Sequence, residues 1–183
     1  MLNTHRIILA SGSPRRRQLM QEAGYVFEVI ESHADESITG DCAACVETLA
    51  KRKAEAVRQQ VEGEAVIIAA DTLVSINGRI LEKPKDAAEA FEMLNLLQGK
   101  MHTVFTGVAI CSPGGMKSFV ESTNVYFREL TISEMHAYIA TGEPFDKAGA
   151  YGIQGAGASL VERIEGCFYA VMGLPMARLA KEL

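Results

Sequence analysis

No stretch of this chain approaches the roughly 18 consecutive apolar residues that a membrane-spanning helix requires. The opening Met1-Leu2-Asn3-Thr4-His5-Arg6 leads straight into a short apolar run, without the longer apolar region and small-residue cleavage site of a secretory signal. A cytoplasmic location with no membrane partner is the expectation. A basic surplus is also missing. The formal net charge of −5 argues against general nucleic-acid binding, which draws on an excess of Lys and Arg. Cysteine is sparse, with four residues at 42, 45, 111 and 167. Cys42-x-x-Cys45 has no second pair and no close histidine to complete a zinc set, and it falls at the start of a predicted helix. Small helix-packing residues are the preferred reading. Several catalytic signatures are absent as well: G-x-x-x-x-G-K-[ST], G-x-S-x-G, H-E-x-x-H and the paired-aspartate D-x-D.

What is present is enough for a core. At 183 residues and 48% hydrophobic content the chain fits one domain over 1–183, or two lobes sharing a sheet. Ile7-Ile8-Leu9-Ala10 reads as a buried strand and runs into Ser11-Gly12-Ser13-Pro14-Arg15-Arg16-Arg17. Ser13 is placed to cap a helix with Pro14 at its first position, and Gly24 stops that helix after Ala23. Arginines in a first turn face the positive end of the helix dipole, so an anion belongs there. Strand, Ser-Gly-Ser turn and guanidinium forks together suit a phosphate. A solvated basic helix start is the competing reading.

Tyr25 to Ile30 alternates like a strand, and the polar loop that follows carries Asp35 and Glu36, two acids that are either solvated or oxygen ligands for a hard cation. Asp41 caps a helix predicted from Cys42 to Val61. Lys53 lies at the edge of its apolar stripe, either snorkelling to water or pointing into a cleft that holds negative charge. Ala65 to Ile76 is the most apolar stretch, and Asp71 interrupts it. An unpaired buried carboxylate is too costly to be incidental, so Asp71 needs a cation, a metal or a hydrogen-bonding set; it is a candidate metal ligand or general base, or a structural aspartate satisfied by backbone N–H groups.

Asn77-Gly78 predicts a type I′ hairpin turn returning through Arg79-Ile80-Leu81, then the rigid exit Glu82-Lys83-Pro84. Asp86-x-x-Glu89 and Thr131-x-x-Glu134 open two helices. Between them, two strands (His102 to Cys111, Lys117 to Arg128) are joined through Ser112-Pro113-Gly114-Gly115. Residues 143–157 are glycine-rich and carry Lys147, Tyr151 and Gln154, a pattern of loops that let backbone approach a ligand. Ser159 to Ile164 and Phe168 to Met172 read as two closing strands before a C-terminal helix opened by Gly173-Leu174-Pro175. Strands and helices mix without strict alternation, which predicts an α/β fold around a mixed, twisted sheet flanked by helices.

Arg15, Arg16, Lys53, Lys83 and Lys147, with Glu36 and Asp71, form a set suited to a polyphosphate and a divalent ion together. The chain resembles the Maf nucleotide pyrophosphatases, once called septum-formation inhibitors. The matching stretches are Leu9-Ala10-Ser11-Gly12-Ser13-Pro14-Arg15-Arg16, Asp35-Glu36-Ser37, Ala50-Lys51-Arg52-Lys53-Ala54, Ala70-Asp71-Thr72, Glu82-Lys83-Pro84 and Asp146 through Gly155. The resemblance implies an elongated, two-lobed Maf/ITPase-like fold with a central cleft, in a homodimer. It implies metal-assisted cleavage of nucleoside triphosphates between the α and β phosphates, with Mg²⁺ or Mn²⁺. Asp71 would be the catalytic acid that activates water, and Glu36 would join it at the metal. Ser11, Arg15, Arg16, Lys53, Lys83 and Lys147 would line the phosphate path. Arg15, Thr72 and Gln154 resemble the branch acting on dTTP and UTP, and an amide such as Gln154 offers a pyrimidine edge both a donor and an acceptor. A nucleotide-binding regulator of cell division with little or no catalysis is the alternative.

Overall fold

The computed structural model describes residues 6–37 and 40–183. Among them, seven strands form one mixed sheet in the order β2-β1-β3-β5-β6-β7, with β4 paired to β3. Strand β1 (Ile7–Leu9) is wholly buried and lies parallel to both β2 (Glu28–Val29) and β3 (Val66–Ile76). Parallel strands covered on both faces need unbroken apolar runs, which is what Ile7-Ile8-Leu9 and Val66-Ile67-Ile68 supply. Strand β4 (Arg79–Leu81) folds back on β3 through Asn77 and Gly78, both at positive φ as a type I′ turn demands. Strands β5 (Met101–Ser112) and β6 (Gly115–Phe127) form the long hairpin, and β7 (Val161–Glu165) pairs antiparallel with β6.

The chain divides into two compact units. The first comprises Met1–Asp71, Thr106–Glu121 and Gly173–Leu183. Its core includes Ile8, Ala50, Ala54, Val57, Ile67 and Ala109, contributed by β1, β3, β5 and helix α2 (Cys42–Arg58). Asp41 caps α2 by accepting from the N–H groups of Ala43 and Ala44. Helix and strand meet without a gap at Gly107, where a side-chain carbon would lie 2.3 Å from the Val46 carbonyl oxygen. That contact admits only glycine and fixes the height of α2 on the sheet, two turns before Lys53. Helix α1 (Pro14–Glu22) starts where predicted, with Pro14 in its first turn, but Ser13 makes no side-chain capping bond. The small helix α6 (Met176–Glu182) ends the chain.

The second unit comprises Thr72–Phe105 and Ser122–Met172. Helices α3 (Ala87–Leu97) and α4 (Ile132–Ala140) pack on each other and on the core of Val74, Leu81, Leu94, Phe127 and Tyr151. Thr131 and Glu134 form a full capping box. At α3 the reciprocal bond shifts by one residue: Asp86 accepts from the Glu89 N–H, while the Glu89 carboxylate accepts from Lys85.

Four sequence expectations need correction. Phe168–Val171 is a short helix, α5, rather than a strand. Its Ala170 and Val171 N–H groups turn back to the Cys167 carbonyl, and a brief apolar run does not distinguish the two states. Only Glu28 and Val29 of the Tyr25 to Ile30 stretch pair, and Val26 is exposed. Helix α2 stops at Arg58, whose side chain bonds the Val61 and Gly63 carbonyls beyond it. Residues 143–157 are not an open loop, because 3-10 turns cover Glu143–Asp146, Ala148–Ala150 and Gly155–Leu160. Among the described residues the cysteines form no disulfide, and no helix is long and apolar enough to cross a membrane.

His102 on β5 is 1% exposed, with Nε2 2.7 Å from the Tyr151 hydroxyl and with Phe127 and Tyr151 packed edge-on against its ring. Burial lowers its pKa from 6.5 to about 4. Above pH 6.5 both folded and unfolded forms are neutral; below it the unfolded chain takes up the proton first, so stability falls with pH down to about 4. The loss expected across this window is about 3 kcal/mol. His102→Gln should flatten this part of the melting-temperature profile, and an unchanged slope would contradict the assignment.

Candidate active site

In the first unit, one ammonium joins two carboxylates that are far apart in sequence. Lys53 Nζ, carried by α2, lies 2.5 Å from Asp71 Oδ1 and 2.7 Å from Glu36 Oε1. The Lys53 and Asp71 side chains are only 12% and 14% exposed, while Glu36 is 66% exposed. Of the two readings of Lys53, the structure selects the one in which the cation faces negative charge. Asp71 likewise has the partner that its place in an apolar strand demanded.

Arg16 ties this cluster to the Ser-Gly-Ser turn. Its Nε donates to the Gly173 carbonyl at 2.8 Å, and Nη1 donates to the Ala70 carbonyl at 2.8 Å and to Ser11 Oγ at 3.2 Å. Ala70 immediately precedes Asp71, so Arg16 holds the backbone from which the acid projects. Burial lowers the Arg16 pKa; Asp71 opposes this, Arg15 adds to it, and Glu36 opposes it again. Those four side chains therefore share one electrostatic neighbourhood. Ser11 is buried, and its Oγ also accepts from the Ser13 N–H at 3.2 Å. Helix α1 has no acid in its first turn, so nothing of its own offsets the dipole at the Ser13–Arg16 end.

Several residues shape this site as braces, a role that no sequence pattern marks. Arg52 Nη1 donates to the carbonyls of Ser37 (2.8 Å) and Asp35 (3.4 Å), one on each side of Glu36. Asp35 braces the same turn, its carboxylate accepting from both the N–H and hydroxyl of Ser37, which holds the Asp35 pKa below the usual carboxylate value. The Glu31 carboxylate lies over Gly12, 3.0 Å from where a side-chain carbon would sit. The matched stretch around Lys53 includes Arg52, but no spacing rule marks it as a brace.

The second unit holds the remaining predicted residues. Thr72, next after Asp71 on β3, is half-buried. Lys83 is exposed, two residues beyond β4, whose register pairs Leu81 with Val74. The Glu82 carbonyl accepts from the Gly149 N–H at 3.1 Å, which brings the Lys83 and Lys147 segments together. Lys147 Nζ donates to the Glu143 carbonyl and to Asp146 Oδ1, both at 2.6 Å. Gln154 is exposed, just before the Gly155–Leu160 turn.

For a divalent ion the available donors are Glu36 and Asp71, which converge on one cation already. Among the described residues no group of three or more His, Cys, Asp or Glu is placed to hold a metal. Two carboxylates fit an ion such as Mg²⁺ whose other oxygens come from substrate phosphates and water.

A mixed α/β fold whose paired acids, lysine and arginines gather beside a helix N-terminus defines a class of anion-handling protein. The family model described as Maf-like protein matches residues 6–183, and the chain belongs to that family. A Bacillus cytotoxicus protein named dTTP/UTP pyrophosphatase is 53% identical, over 97% of this chain and 94% of its own length. A Bacillus cereus protein of the same name is 49% identical, over 99% of this chain and 90% of its own length. The solved structure of the Staphylococcus aureus Ham1 protein aligns with a TM-score of 0.52 at 18% identity, covering 97% of this chain and 88% of that one. This last likeness shows the fold alone.

Arg52→Ala should release the turn that carries Glu36. Amide hydrogen exchange at Ser37 is expected to speed up by about tenfold, with a change in global stability of no more than about 1 kcal/mol. Unaltered exchange at Ser37 would show that Arg52 does not brace this segment.

Proposed function

We propose that the chain is a nucleoside triphosphate pyrophosphatase that hydrolyses dTTP and UTP to the monophosphate and pyrophosphate, the whole of 1–183 acting as one catalytic domain. The observation that carries this reading is the convergence of Lys53, Asp71 and Glu36 beside Ser11 and Arg16. Relatives about half identical over nearly their full length, named for this activity, support it.

The chemistry follows from charge. A triphosphate brings several negative charges, and its cleavage adds more to the departing pyrophosphate. Arg15, Arg16, Lys53, Lys83 and Lys147 would hold the phosphates, with Ser11 as a neutral hydrogen-bonding partner. Asp71 accepts a proton from water as the water oxygen bonds to the α phosphorus; the bond from that phosphorus to the bridging oxygen breaks, and its electrons leave with pyrophosphate. Glu36 and Asp71 would hold a divalent cation, Mg²⁺ or Mn²⁺, which when bound supplies Lewis-acid neutralisation of the phosphate oxygens. Thr72 and Gln154 would read the pyrimidine, with Arg15 contributing to that choice. The reaction belongs in the cytoplasm, and a homodimer is the assembly to expect.

Pyrophosphate release tests this directly. With Mg²⁺ or Mn²⁺ the protein should turn over dTTP and UTP faster than purine triphosphates. Asp71→Asn should lower kcat at least about a hundredfold while nucleotide binding persists. Parental turnover in that variant would overturn the role of Asp71, and nucleotide binding without release in the parent would favour a regulator instead.

A further inference from the structure

The backbone around Gln154 is clamped on both sides by two side chains with no assigned role. Two residues before it, the Gly152 N–H donates to the Tyr138 hydroxyl at 3.0 Å. Two residues after it, the Ala156 N–H donates to Glu143 Oε1 at 3.0 Å, and the Gly157 N–H donates to Oε2 at 3.3 Å. The turn closes on itself between these clamps. A side-chain carbon at Gly157 would lie 2.1 Å from the Gly152 carbonyl oxygen and 2.9 Å from the Tyr138 hydroxyl. At Gly155, where φ is +63°, it would lie 2.6 Å from Glu143 Oε1. Two glycines, Gly157 and Gly155, thus leave room for one hydroxyl and one carboxylate, and Gln154 stands exposed between the clamps.

The two clamps are also coupled to each other and to Lys147. Burial first, and then the facing Glu143 carboxylate, raise the Tyr138 hydroxyl to about 12, with the Gly152 N–H pulling the other way. The hydroxyl therefore stays protonated at any physiological pH. The Glu143 backbone carbonyl accepts from Lys147, whose stem lies under Gly152. An exposed glutamine on a glycine-rich segment has many rotamers and a mobile backbone to lose when it engages a ligand. Pinning the segment in advance removes part of that cost.

We infer that Tyr138 and Glu143 are specificity-positioning residues: they hold the 152–157 turn so that the Gln154 amide meets the pyrimidine edge in a single orientation. This rests on the reading that Gln154 selects the base. Neither side chain need touch the substrate to act.

The test is a set of kcat and KM values for dTTP and dGTP in the parent, Gln154→Ala, Tyr138→Phe and Glu143→Gln, with melting temperatures alongside. Tyr138→Phe keeps the buried ring and loses only the hydroxyl, and Glu143→Gln keeps the shape while setting an amide against an N–H. Each is expected to lower the preference for dTTP over dGTP by about five- to tenfold, mainly through a higher KM for dTTP, with kcat within about twofold of parental. If Gln154→Ala leaves the preference at its parental value, Gln154 does not read the base and the inference falls with that reading. If Gln154→Ala abolishes the preference while both clamp variants retain it, the positioning role alone is wrong. A uniform loss for both nucleotides that follows the melting temperature would mark Tyr138 and Glu143 as structural and also overturn it.

Discussion

The first unit depends on one ammonium shared by two acids. Lys53 and Asp71 are each largely withdrawn from water, and neither charge is tolerable there alone. Removing Lys53 would take that cation from the largely buried Asp71 carboxylate at a cost on the order of 3 kcal/mol, whereas removing Asp71 leaves Lys53 its contact with Glu36. The pair thus ties α2 to β3 beside the apolar contacts around Ala50 and Ala54. Glu36 approaches the same cation from an exposed loop, so the cluster is closed on the protein side and open toward solvent. For the proposed function, such an arrangement would keep charged groups in place before a polyanion arrives, which is the preorganisation that electrostatic catalysis requires.

The surroundings of that cluster are built for position more than for contact. Arg16 spends three N–H groups on Gly173, Ala70 and Ser11, and so joins three separated segments beside Asp71. Arg52 does the same for the turn that carries Glu36. In the second unit Tyr138 and Glu143 grip backbone N–H groups on either side of Gln154. Asp71, Glu36 and Gln154 thus each have a neighbour whose donors or acceptors are directed at the main chain beside them. The close approach at Gly107 serves the same end at the level of whole elements.

Much of this was legible beforehand because chemistry left a mark in the pattern. A carboxylate in an apolar strand and a lysine at the edge of a helix stripe each signalled an unseen partner, and they prove to be each other's. The Asn77-Gly78 turn, the Thr131–Glu134 box and the Pro14 helix start follow from local backbone rules and fall where expected. The braces were not legible, since an arginine or tyrosine bonding a carbonyl or N–H far along the chain carries no spacing. Phe168–Val171 is ambiguous in sequence because four apolar residues suit a strand or a helix turn equally, and bonds to the Cys167 carbonyl close the turn. At the sheet edge, the alternation from Tyr25 to Ile30 persists past Glu28 and Val29, the residues that find a pairing partner.

If Lys53 and Asp71 act as one unit, their contributions to turnover cannot be independent. A double-mutant cycle on kcat for dTTP, built from Lys53→Met, Asp71→Asn and the combined variant, measures this directly. The expected result is a double variant no slower than the slower single variant. Losses that multiply across the two substitutions would mean that the lysine and the aspartate work separately, and that the shared ammonium is not the centre of the site.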